Sequence, residues 1–128
     1  MKRTISLILF FALFQMACEK HAEKGRYVYM TAPVDSIRVT AAESNALSLI
    51  CYVTVPDPCW ELTGADVKQA SRDFSVKVRA RREKSKICIA IPARLEIPVR
   101  LRVQQAGDYE LRFWRSDTSR LDTTLMIQ

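Results

Sequence analysis

Phe74-Ser75-Val76-Lys77-Val78-Arg79-Ala80-Arg81 decides the fold class. Apolar side chains alternate with a hydroxyl and three cations, so every second residue wants water and the others avoid it. Only a strand places residues i, i+2 and i+4 on one face. The same period returns on both sides of this stretch. Leu47, Leu49, Cys51, Val53 and Val55 share one face of an earlier strand. Pro56-Asp57-Pro58 ends it, because two prolines remove two ladder donors. Leu95, Ile97, Val99, Leu101 and Val103 alternate with Arg94, Glu96, Pro98, Arg100 and Arg102. Pro98 marks that strand as one with an unpaired edge.

The pattern fills most of the remaining chain. Val34 to Thr40 alternates after Pro33, and Trp60 to Ala70 makes a further strand in which Gly64 marks a bulge or bend. Arg82 to Lys86 reads as a turn. Ile87, Ile89 and Ile91 follow as an apolar set expected on the inner face, and Pro92 breaks the run. Ala106-Gly107-Asp108 turns into Tyr109, Leu111 and Phe113, and Ser116 to Arg120 turns into Leu121, Thr123, Leu125 and Ile127. Ala41–Ala46 is the one short stretch compatible with a helical turn. Seven or eight short strands with regular turns predict a β-sandwich, since two sheets can bury their inner faces against each other. Gly107-Asp108-Tyr109 resembles the Gly-x-Tyr entry to the penultimate strand of immunoglobulin-like domains, where the tyrosine hydroxyl ties the corner to nearby backbone. Cys51 in a strand, with Trp60 after it, is similar to the first half of the same pattern. Leu111 stands where the second cysteine would be, so that disulfide is not expected. The resemblance covers Val34 to Ile127 and implies an all-β, immunoglobulin-like β-sandwich of about seven antiparallel strands.

The amino end has a different logic. Lys2 and Arg3 precede an apolar run from Ile5 to Phe14, then Gln15-Met16-Ala17-Cys18. The run is shorter than the ~20 residues a membrane-spanning helix needs. A cationic start, a short apolar body and a small residue before the cut make a secretory signal. With the cysteine directly after Ala17, the segment resembles a bacterial lipoprotein signal peptide. That resemblance implies cleavage of residues 1–17, acylation of Cys18 (palmitate among the chains), and a place in the bacterial cell envelope facing the periplasm or cell surface. Residues 18–26 then form a charged tether, and residues 27–128 the sandwich.

The formal charge is +6, to which Lys2 and Arg3 contribute two. The remaining excess is mild and, in an exported protein, gives no reason to expect nucleic acid. With Cys18 acylated, Cys51, Cys59 and Cys88 remain, an odd number for an oxidising compartment. A Cys51–Cys59 bridge would have to close across the stiff Pro56-Asp57-Pro58. Cys51 faces the core, whereas Cys88 points outward if Ile87 and Ile89 face inward. Cys59–Cys88 is therefore the expected disulfide, worth about 2–4 kcal/mol, with Cys51 packed as a small hydrophobe. The Pro-x-Pro-Cys-Trp stretch, a later lone cysteine and a Gly-x-Tyr strand also resemble a set of small bacterial lipoproteins. That likeness agrees with the pairing and brings no activity with it.

Catalytic chemistry is poorly represented. The only histidine, His21, lies in the tether, and there is no Ser-x-x-Lys or Cys-x-x-Cys. No metal, cofactor or enzymatic activity is expected. The binding candidates are Arg79, Arg81, Arg82, Lys84 and Lys86, with Arg72, Lys77, Arg100 and Arg102 as extensions. Such a patch suits an anionic glycan, a lipid headgroup or an acidic envelope protein. The plainer use of the same cations is to guard strand edges from aggregation. Trp114, outward by alternation and next to Arg115, is either a contact residue or cover beneath the Ser116–Arg120 loop. The expectation is a non-catalytic binding or structural module. A protease inhibitor probing with Pro56–Trp60, and an accessory subunit using a strand edge or Trp114, are the alternatives.

Overall fold

Eight strands follow one another in the computed structural model, which describes residues 25–128: β1 (Tyr27–Ala32), β2 (Val34–Ala42), β3 (Ala46–Val55), β4 (Trp60–Ala70), β5 (Asp73–Glu83), β6 (Ala93–Arg102), β7 (Gly107–Ser116) and β8 (Ser119–Ile127). The leader, Cys18 and nearly all of the tether lie outside the described residues. Among the described residues no helix is long and apolar enough to cross a membrane, and Ala41–Ala46 is the end of β2, a tight turn and the first residue of β3 rather than a helix.

Two sheets form. β2, β3 and β6 make the smaller one, with β3 in the middle. In the five-stranded sheet β5 is the hub. β4 runs antiparallel along one side of β5 from Asp73 to Arg82. The other side is divided: β1 pairs antiparallel with Val78–Glu83, and β7 pairs parallel with Asp73–Val76. β8 then closes on β7 as a hairpin. The β5–β7 pairing departs from the expected all-antiparallel arrangement. It arises because β1 leaves β5 at Ala32 and crosses to the other sheet, freeing backbone groups that β7 fills from the same side. Arg115 holds this crossing, donating from Nε to the Val34 carbonyl (2.9 Å) and from Nη2 to that of Asp35 (2.7 Å).

The alternation set the inner faces. Phe74, Val76, Val78 and Ala80 of β5 are buried, as are Leu47, Leu49, Cys51, Val53 and Val55 of β3, and Tyr109, Leu111 and Phe113 of β7. The bulge in β4 falls between Leu62 and Gly64, where the sequence placed it. Pro98 sits on β6, an edge strand, the place in a sheet that tolerates a missing N–H. The Gly107-Asp108-Tyr109 turn behaves as its immunoglobulin likeness implies. The Tyr109 hydroxyl donates to the Gln105 carbonyl (2.6 Å) and accepts from the Gln105 N–H (3.3 Å). Gly107 adopts φ 135° beneath the Arg72 guanidinium, where an added Cβ would come within 2.6 Å of a guanidinium nitrogen. Conformation disfavours a side chain there, and any Cβ would also displace the Arg72 guanidinium.

Three expectations need correction. A strand precedes Pro33: Tyr27–Ala32 is β1, and β5 runs on to Glu83 through part of the expected turn. Ile87, Ile89 and Ile91 do not face inward. They lie in an irregular connection between β5 and β6, exposed by 99%, 71% and 58%. The Cys59–Cys88 disulfide is present, with Cα atoms 6.0 Å apart, but for the opposite geometric reason. Cys88 points towards the domain, and the bridge pins its side of the chain inward, so the alternating isoleucines must face out.

Candidate functional site

The cationic cluster read from β5 is divided by the pleat and largely neutralised by acids from other segments. Arg79 and Arg81 lie on the outer face of the five-stranded sheet. There the β4 partner strand supplies Asp66 to Arg79 (Nε to Oδ2, 3.1 Å) and Glu61 to Arg81. The Glu61 hydrogen bond raises the Arg81 pKa further above its ordinary value, and the same guanidinium stacks 4.3 Å from the centre of the Tyr27 ring. Arg82 has the opposite parity. It sits beside the disulfide corner, where Nε meets Asp57 Oδ2 at 3.2 Å and Nη2 donates to the Lys86 carbonyl at 3.0 Å. Lys86 approaches Glu83 at 3.9 Å. Lys84 is exposed beyond the end of β5. Arg72 covers Gly107, and Arg100 and Arg102 belong to the other sheet.

Trp114 is half-buried on the outer side of β7, opposite Arg120 across the hairpin. Asp57, Cys59 and Cys88 bring three potential ligand atoms within 4.8 Å of one another. The thiolate is the form that binds metal, and here the two sulfurs bond each other. The Asp57 carboxylate closes its own turn, accepting from the Cys59 N–H at 2.9 Å and from Arg82. This cluster is a structural corner.

Four arginines without acidic partners share the outer face of the smaller sheet; among the described residues Lys68, Arg72, Lys77, Lys84, Arg115 and Arg120, on or beside the larger sheet, also lack an ion pair. Register places Ser36, Tyr52 and Glu96 side by side, with Arg38 beside Ile50 and Pro98, and Arg100 beside Ser48. Arg38 Nε donates to the Tyr52 hydroxyl at 3.2 Å. The Arg94 guanidinium lies 4.8 Å from the centre of the same ring and donates to Ser36 Oγ at 3.3 Å. Tyr52 is therefore held between two arginines, with a shallow hollow of about 490 Å³ formed by Tyr52, Arg94, Leu95 and Glu96. A second hollow of about 580 Å³ lies at the far end of the sheet, where Arg100 and Arg102 meet the Ser44–Asn45 turn. Among the described residues, none of Arg38, Arg94, Arg100 and Arg102 forms an ion pair. Cations free of partners set the surface potential, while paired ones contribute little to it.

Sequence reasoning named Arg100 and Arg102 only as extensions of the β5 cluster and passed over Arg38, Tyr52 and Arg94. The usable signal was parity: Ser48, Ile50, Tyr52 and Thr54 must face outward if Leu49, Cys51 and Val53 face inward.

A family model described as the ORF11 beta-sandwich domain matches residues 49–124. The chain belongs to this family. The match runs from β3 to near the end of β8, so it includes the disulfide corner, the Tyr109 turn and the outward arginines of β6, and leaves out β1 and β2. No curated protein and no solved structure matches the chain.

Proposed function

We propose that this ORF11 beta-sandwich domain is an exported, lipid-anchored and non-catalytic binding module of the bacterial cell envelope. Its ligand is an anionic glycan held on the outer face of the β2–β3–β6 sheet. The observation that carries this reading is the set of four arginines without acidic partners around Tyr52 and the Ser44–Asn45 turn. A sheet face with outward guanidiniums around an aromatic ring suits an extended acidic sugar chain. The guanidiniums offer paired donors to carboxylates, and the Tyr52 ring and hydroxyl position two of them. Lys2, Arg3, the apolar run to Phe14 and Cys18 support export and acylation. A non-catalytic role is supported by the sequence, whose one histidine, His21, falls in the tether. The inhibitor alternative gains no support from Pro56–Cys59. This stretch is a short turn stapled to the domain, whereas an inhibitory loop must run extended through a protease cleft.

Calorimetric titration with polygalacturonate, and with neutral dextran as control, tests the reading. Binding of the acidic polymer should weaken at least about tenfold in an Arg38→Glu, Arg94→Glu double variant and stay unchanged in Arg79→Glu, Arg81→Glu. Equal loss in both variants, or no binding of acidic polymers, would remove the glycan reading. Mass spectrometry of the purified membrane form tests acylation of Cys18 separately.

A further inference from the structure

We propose that the Lys84–Pro92 connection is a membrane-docking loop, which sets the isoleucines 87, 89 and 91 into the bilayer interface. The inference rests on the lipid-anchored reading of Cys18. Ile87 is exposed by 99%, Ile89 by 71% and Ile91 by 58%. Three large apolar side chains exposed within five residues make an apolar ridge that a monomer fully surrounded by water has little reason to display. The ridge is not a loose end. Cys88 fastens it to Cys59, and the Ile91 N–H donates to the Ile89 carbonyl at 2.8 Å.

Its place in the fold identifies the occupant. The Lys84 N–H donates to the Arg26 carbonyl at 2.8 Å, and Tyr27 pairs with Glu83. The ridge therefore lies at the end of the sandwich where the chain enters. Residues 18–25 are too few to span more than about 29 Å when extended. A lipid on Cys18 would hold this end, and not the opposite one, against the membrane. The charges fit a bilayer as well. Lys84 and Lys86 directly precede the ridge, and the nearby acids Glu83 and Asp57 are only 19% and 16% exposed and already engaged. Apolar side chains beside basic ones suit the boundary between headgroups and acyl chains. Docking also fixes orientation, leaving both outer sheet faces upright and accessible.

The test uses the chain made without residues 1–17 and carrying Cys18→Ser, so that neither an acyl chain nor the apolar run from Ile5 to Phe14 contributes. It is sedimented with vesicles of equimolar phosphatidylglycerol and phosphatidylcholine at low salt. The chain should pellet with these vesicles and pellet less with phosphatidylcholine alone. Replacing all three isoleucines by serine should weaken partitioning by about 100-fold. In an Ile87→Trp variant the added fluorescence should shift to the blue on mixing. The proposal is overturned if the Cys18→Ser chain stays in the supernatant, if the triple variant pellets equally well, or if the new tryptophan does not shift. A dimer in sedimentation equilibrium that the triple variant abolishes would overturn it in favour of self-association. Failure of any of these leaves acylation of Cys18 standing, and an unmodified Cys18 leaves the vesicle result readable.

Discussion

Removing the Cys59–Cys88 bridge should be the most costly change available at the chain-entry end of the domain. The cross-linked residues are 29 apart. The chain-entropy relation for a loop of that length gives ~3.6 kcal/mol at room temperature. Local contacts cannot replace it. The Arg82–Asp57 pair at the same corner is partly open to water, with side chains 21% and 16% exposed, and such a pair contributes about 0–1 kcal/mol. Ile87, Ile89 and Ile91 bury too little to help. Serine at both positions adds no trapped polar group, because Cys59 and Cys88 are only half-buried. In urea, a Cys59→Ser, Cys88→Ser double variant should therefore unfold at a midpoint lower by roughly 2 M, for a slope in the usual range. Unfolding is followed by tryptophan fluorescence and circular dichroism. Reductant should bring the parent close to the variant and leave the variant where it is. A loss below about 1 kcal/mol, or equal sensitivity of both proteins to reductant, would refute the loop-entropy argument.

Two further outcomes follow from single side chains. Cys51 is fully buried and burial pushes its thiol up to about 12 from 9.0. The folded chain keeps that proton after the unfolded chain has lost it, so stability should fall as pH rises from about 9 towards 12, by at most ~1.4 kcal/mol per pH unit. The thiol should resist alkylation until the protein unfolds, and Cys51→Ala should remove this part of the slope; an unchanged slope refutes the assignment. Tyr109→Phe leaves the ring stacked on Phe74, 5.8 Å between centres, but deletes both contacts to Gln105. It should cost about 1 kcal/mol in thermal or urea unfolding, and an unaltered midpoint would show that the hydroxyl does not hold the corner.

How far the candidate site could be read from sequence follows from where its charges are matched. Arg79 and Arg81 look unpaired along the chain because Glu61 and Asp66 lie far back in sequence. Antiparallel register brings them alongside. Arg38, Tyr52 and Arg94 come from three different strands and share a face only because β2 and β6 flank β3. β1 was hidden by its position between a charged tether and Pro33, although Tyr27-Val28-Tyr29-Met30 is a good strand composition.

The sequence alone determined the β class, most strand positions, the inward residues, the Gly64 bulge, the edge character of β6 and the Tyr109 turn. These depend on a period of two and on the backbone limits of proline and glycine, which act within a few residues. Tertiary structure alone decided the parallel β5–β7 pairing, the orientation of the Ile87–Ile91 stretch and the grouping of Arg38 and Arg94 around Tyr52. Alternation states that two faces differ, but it does not state which one meets the core. At Ile87–Ile91 a bond from Cys88 to a residue 29 positions away made that choice, and the balance of charge was set in the same way, by strands that meet only in the folded chain.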